Sequence, residues 1–123
     1  MFKNILIIGF GMIGSSIARS VIKKYKNVKI FAFDKSNNLK IRINKSKLNN
    51  VKVLKSLQEI NNLNIDLIII CVPMLQYQSI FKKLSNINLD KTIVTDVGST
   101  KLNIEKLYNQ KKYKFNFIPS HPI

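Results

Sequence analysis

The sequence predicts an α/β domain built on a doubly wound parallel sheet, and three features carry that expectation. Short apolar runs recur at Ile5 to Ile8, Val28 to Phe33, Leu67 to Val72, Ile93 to Asp96 and Phe115 to Ile118, with helix-like segments between them. The Leu67 to Val72 run is apolar throughout, as in a parallel strand covered on both faces. The first run breaks at Gly9-Phe10-Gly11-Met12-Ile13-Gly14, and three of the four glycines in the whole chain fall in those six residues. Alternating strands and helices imply right-handed crossovers, so the expected architecture is Rossmann-type, with strand order 3-2-1-4-5-6.

The elements follow in order. After the first strand, Ile13, Ile17 and Val21 mark one face of a helix that ends near Lys23, Lys24 and Lys26, where cations suit the helix dipole. The second strand ends at Asp34. Ser36 to Leu48 is rich in Lys and Asn but carries Leu39, Ile43 and Leu48, which predicts an irregular surface helix. Val51 to Leu54 is a short strand, and Ser56-Leu57-Gln58-Glu59 has the capping-box pattern that opens a brief helix. Leu67 to Val72 is the strongest strand. Pro73 ends it and can start a helix over Met74 to Leu84. Ile93 to Asp96 is a further strand, Lys101 to Gln110 a helix with Leu102 and Leu107 inward, and Phe115 to Ile118 the last strand.

The glycine spacing has a steric cause. Gly9 permits the turn, Gly11 lets a pyrophosphate approach the backbone, and Gly14 lets helix and strand pack closely, while Phe10, Met12 and Ile13 complete the loop against the helix's free N–H groups. Asp34 stands twenty residues beyond Gly14, where an acid that binds ribose hydroxyls belongs. Its carboxylate would accept from both hydroxyls of the adenosine ribose and repel a 2′-phosphate, so NAD is expected over NADP, with Lys35 softening the preference. The competing reading is a secretory signal, since Lys3 precedes the apolar run and Ser16-Ile17-Ala18 resembles a cleavage site. Three glycines would weaken that segment as a helix, and the Asp34 spacing would have no explanation.

Composition bounds the function. A length of 123 residues suits one domain, and 46% hydrophobic with 22% charged residues describes a globular chain. The longest apolar run, Leu67 to Leu75, is too short to span a bilayer, so no membrane association and a cytoplasmic location are expected. The lone cysteine, Cys71, lies inside that run as a small buried hydrophobe, and no metal site is expected. The formal charge of +15 raises nucleic-acid binding as a second class. The basic residues are nevertheless spread along the chain, and only Arg19 and Arg42 are arginine, so a solvated surface explains them better and no specific nucleic acid is expected.

Three strand ends carry distinctive residues and should open toward one crevice. At the first, Val72, Pro73 and Met74 either contact the cofactor's ribose or nicotinamide, or simply end the strand and begin the helix. At the second, Gly98 allows close approach of the nicotinamide, and Ser99 is either a helix cap or a functional hydroxyl. The third holds His121, the only histidine, between two prolines that restrict its backbone. The surrounding positive charge favours its neutral form, ready to accept a proton. Hydride transfer with a proton acceptor is the chemistry this inventory permits.

Together, Gly9 to Ser16, Asp34, Cys71-Val72-Pro73, Asp96-Val97-Gly98-Ser99-Thr100-Lys101 and Phe117 to Ile123 resemble the prephenate dehydrogenase family, and look closest to its cyclohexadienyl type, which accepts prephenate or arogenate. The resemblance implies NAD-dependent oxidative decarboxylation in tyrosine biosynthesis, without a metal. It matches His121 to the residue that accepts the proton of the substrate's ring hydroxyl, and Ser99 to the serine that hydrogen-bonds the same hydroxyl. Thr100 stands where the family often has valine. The family's histidine motif normally continues with Ala-Gly and a helical domain that supplies substrate contacts and the dimer interface, whereas this sequence stops at Ile123. Residues 1–123 are therefore expected to be an NAD-binding domain truncated at its C-terminal end, a homodimer only with the helical domain present, and poorly active alone. Two other readings stand beside this one: another two-domain NAD-dependent hydroxy-acid dehydrogenase, and a non-catalytic NAD-binding remnant.

Overall fold

The computed structural model describes residues 2–48, 50–97, 101–111 and 113–120. Among these residues, six strands form one sheet: β1 (Asn4–Ile8), β2 (Lys29–Phe33), β3 (Val51–Val53), β4 (Leu67–Ile70), β5 (Ile93–Asp96) and β6 (Asn116–Phe117). The α-helices among the described residues, α1 (Met12–Lys24), α2 (Leu39–Lys45), α3 (Tyr77–Leu84) and α4 (Lys101–Lys111), connect successive strands, except that β3 and β4 are joined through a 3-10 helix. Every pairing is parallel, and the strand order β3-β2-β1-β4-β5-β6 is that of the Rossmann fold.

The uninterrupted apolar strands follow from a two-sided core. On β1, Leu6 and Ile8 join one hydrophobic cluster with Ile68, Ile70, Val94, Phe81 and Leu84, while Ile5 and Ile7 join the other with Ala18, Ile30, Ala32, Leu39 and Ile43. Right-handed crossovers put α1 and α2 on the second face, over the β1–β3 half only. Leu67, Ile69, Ile93 and Thr95 are accordingly half-buried, and β4 is covered fully on one face alone. Phe81 anchors the opposite face, meeting Tyr77, Tyr108, Tyr113, Phe115 and Phe117 edge-on at 5.2 to 6.2 Å between ring centres.

Several elements differ from the sequence expectation. The α1 face turned inward is that of Gly14 and Ala18, with Ile17, Val21 and Ile22 half-buried, whereas Ile13 is 57% exposed. Two small residues lead because the helix lies too close to β1 for larger ones. The helix over Met74 to Leu84 begins as a single 3-10 turn, Met74–Gln76, before α3, and β4 stops at Ile70, so Cys71 and Val72 already belong to the exit loop. The Ser36 to Leu48 helix is confined to α2. Ser56 opens a 3-10 helix, Leu57–Asn62, with its N–H donated to Glu59 Oε2 at 3.1 Å. Leu107 packs half-buried on the first cluster, and the Leu102 side chain lies outside the described set. No helix among the described residues is long and apolar enough to cross a membrane.

Candidate functional site

The strand order reverses direction at β1, which pairs β2 on one side and β4 on the other. Crossovers leaving β1 and β4 pass to opposite faces of the sheet, which opens a crevice beyond their carboxyl ends. A cavity of about 650 Å3 lies there, a size suited to a small-molecule cofactor. It is lined by the glycine loop and the start of α1, by Phe33 at the end of β2 with Asp34 and Lys35 after it, and by Cys71, Val72 and Pro73 after β4.

The glycine loop is shaped by close contacts. Gly9 has φ +92°, a conformation L side chains rarely adopt, and a β-carbon there would stand 2.8 Å from the backbone of Cys71. Its N–H donates to the Phe33 carbonyl at 2.8 Å, tying the turn to the end of β2. Gly11 is the opposite case: a β-carbon there would meet nothing within 4 Å, so the loop leaves open space on the crevice side. No side chain caps α1, and its first turn holds no acidic residue. The initial N–H groups and the positive end of the helix dipole therefore face the crevice without a competing carboxylate. That arrangement fits a diphosphate.

Asp34 stands at the rim, 20% exposed. Its Oδ2 accepts the Phe10 N–H at 2.8 Å and its Oδ1 accepts the Ser36 N–H at 3.0 Å. Arg42 Nη2 lies 3.4 Å from Oδ2, and Arg42 Nη1 donates to the Phe10 carbonyl at 3.0 Å. Phe10 thus contributes its backbone to this network, while its ring is buried in the core beneath.

Of the residues singled out from sequence, Gly9, Gly11, Met12, Ile13, Asp34, Lys35, Val72 and Pro73 line the crevice together. Gly14 lies below the loop against Gly9, and Met74 is displaced from the lining by its neighbour Leu75. Gly98, Ser99 and His121 lie outside the described residues. Three contributions lie beyond the sequence expectation. Gln76, Ser79, Ile80 and Lys83 form the far wall, and their spacing places them on one helical face, a signal that was legible. Arg42 gave no such signal, because nothing local marks one basic residue on a lysine-rich helix.

The third contribution is a buried carboxylate. Asp96, at the end of β5, is fully buried, accepts the Tyr77 hydroxyl at 3.2 Å and faces the Ser120 N–H at 3.4 Å. The Ser120 hydroxyl donates to the Asp96 carbonyl. Asp96 thereby ties together the start of α3, the end of β5 and the segment after β6. Burial, reinforced by the Asp96 charge, pushes the Cys71 thiol up to about 12, so Cys71 lines the crevice as a neutral group.

Comparison with known proteins agrees with this geometry. Residues 17–123 match the family model for the nucleotide-binding domain of prephenate dehydrogenase. A prephenate dehydrogenase of Lactococcus lactis is 35% identical over 98% of this chain and 34% of its own length. A cyclohexadienyl dehydrogenase of Zymomonas mobilis is 29% identical over 100% of this chain and 41% of its own. The crystal structure of prephenate dehydrogenase from A. aeolicus, in complex with hydroxyphenyl propionate and NAD+, superposes with a TM-score of 0.73 at 25% identity, over 100% of this chain and 42% of that one. The chain thus spans 34% to 41% of the length of these curated relatives. By sequence and by fold, the chain belongs to the prephenate dehydrogenase family, matching that family's nucleotide-binding domain.

Proposed function

We propose that this chain binds NAD in the crevice between β1 and β4 and forms the coenzyme half of an enzyme that oxidatively decarboxylates prephenate or arogenate. One observation carries the reading: an uncapped helix N-terminus behind a glycine turn, with the Asp34 carboxylate at the adjoining strand end. The backbone N–H groups at Met12 and Ile13 receive the diphosphate, Asp34 receives the adenosine ribose, and Val72 and Pro73 border the nicotinamide side. NAD, when bound, supplies the hydride acceptor. His121 takes the proton of the substrate's ring hydroxyl, and Ser99 holds that hydroxyl in place; both roles rest on the family resemblance of their motifs. The names of the relatives support the substrate class.

Calorimetric titration of the folded chain with NAD, followed by prephenate with NADH absorbance as readout, tests this. Saturable NAD binding is the expected result, with turnover once the remaining length found in the relatives is present. Folded protein that takes up neither NAD nor NADH overturns the reading.

A further inference from the structure

Arg42 is the one arginine near the crevice, and it grips the loop that shapes it. Its Nη1 donates to the Phe10 carbonyl at 3.0 Å, its Nε donates to Asn38 Oδ1 at 3.1 Å, and its Nη2 stands 3.4 Å from Asp34 Oδ2. The same Asp34 oxygen accepts the Phe10 N–H at 2.8 Å. Both backbone groups of Phe10 are therefore held, one by Asp34 and one by Arg42, and the two side chains are held to each other. A guanidinium holds its donors in a fixed planar fork that reaches Phe10, Asn38 and Asp34 together, whereas an ammonium is a compact point charge on a flexible stem.

We propose that Arg42 is a positioning and specificity-determining residue for the adenosine end of the crevice. The proposal rests on the coenzyme reading above. The fork fixes the Gly9-Phe10-Gly11 turn relative to Asp34, so loop and ribose acid are in register before nucleotide arrives. The charge offsets part of the repulsion that Asp34 alone would exert on a 2′-phosphate. A carboxylate offers about four acceptor directions; Phe10 and Ser36 each take one of Asp34's, and the Arg42 guanidinium stands beside Oδ2. Asp34 therefore has fewer directions left for the two ribose hydroxyls than a lone aspartate would offer. Discrimination against NADP is correspondingly softer than a lone aspartate would give.

The test compares Arg42→Lys and Arg42→Gln with the parent chain. Arg42 is 38% exposed, so both variants are expected to fold, which thermal melting checks. Amide hydrogen exchange at Phe10, followed by NMR without nucleotide, reads the positioning; calorimetric affinities for NAD and NADP read the specificity. Both variants should exchange the Phe10 amide severalfold faster and bind both coenzymes more weakly. Arg42→Lys, which keeps the charge, should hold the parent ratio of NAD to NADP affinity. Arg42→Gln should shift that ratio toward NAD by about tenfold, the effect of one unit charge near contact range in a largely aqueous dielectric. Parent-like exchange at Phe10 in both variants overturns the positioning role, and an unchanged ratio in Arg42→Gln overturns the specificity role. A parent chain that binds neither coenzyme sinks the coenzyme reading and the specificity role with it, while the Phe10 exchange still decides whether Arg42 holds the turn.

Discussion

Gly14 lies directly against the carbonyl of Gly9: a β-carbon on Gly14 would stand 2.2 Å from that oxygen and 3.1 Å from Ile7 Cγ2. Helix α1 leaves the sheet this closely because both positions lack side chains, and the crevice takes its shape from that approach.

Gly14→Ala and Gly11→Ala are expected to fail in opposite ways. At Gly14 the added methyl must push the helix off the strand, at a cost of about 1–3 kcal/mol or more by urea denaturation. At Gly11 it meets nothing within 4 Å, so stability changes by less than about 1 kcal/mol while NAD affinity falls about tenfold or more.

Asp34→Asn removes the charge that opposes a 2′-phosphate and keeps the shape of the side chain. NAD binding should weaken, and the ratio of NADP to NAD affinity should rise by about tenfold in paired titrations. An unchanged ratio would take the ribose away from Asp34.

Cys71 should behave as an inert thiol. With its titration raised to about 12, iodoacetamide at pH 8 should modify the folded chain far more slowly than the urea-unfolded chain. The unfolded thiol loses its proton first, near about 8.5. The thiol's contribution to stability is therefore whole below that value and is lost as pH rises toward about 12. Cys71→Ala deletes this component, so the stability gap between parent and variant should change over that alkaline window and not below it.

Tyr77→Phe withdraws a hydroxyl that donates to the fully buried Asp96 carboxylate. A loss of about 1–3 kcal/mol is expected from denaturation curves, since a buried acceptor short of a donor bears its desolvation cost.

His121→Ala or His121→Asn, made in an enzyme carrying this domain, should lower turnover by at least about a hundredfold and spare NAD affinity. Full turnover in either variant would remove His121 from the chemistry.

Much of the architecture was legible because the residues that encode it act locally. The Ile5 to Ile8 run, the three clustered glycines and the Asp34 spacing each state a requirement of one strand or one turn, and the observed strand order is the one expected of a doubly wound sheet that carries such a glycine loop. The inward face of α1 departs from the hydrophobic spacing because closeness to β1, not side-chain size, decides burial there. Hydrophobic spacing marked Ile13, Ile17 and Val21, yet close packing on β1 reserves the contact for Gly14 and Ala18.

By itself, the sequence determined a parallel sheet, a glycine turn against a helix start, and an acid at the next strand end, since each is a property of neighbouring residues. Only the tertiary structure decided that Arg42 reaches across from α2 to Phe10 and Asp34, that α3 supplies the far wall, and that Asp96 is buried between Tyr77 and Ser120. These contacts join residues far apart along the chain, and their geometry exists only once the crossovers have stacked the helices on the sheet.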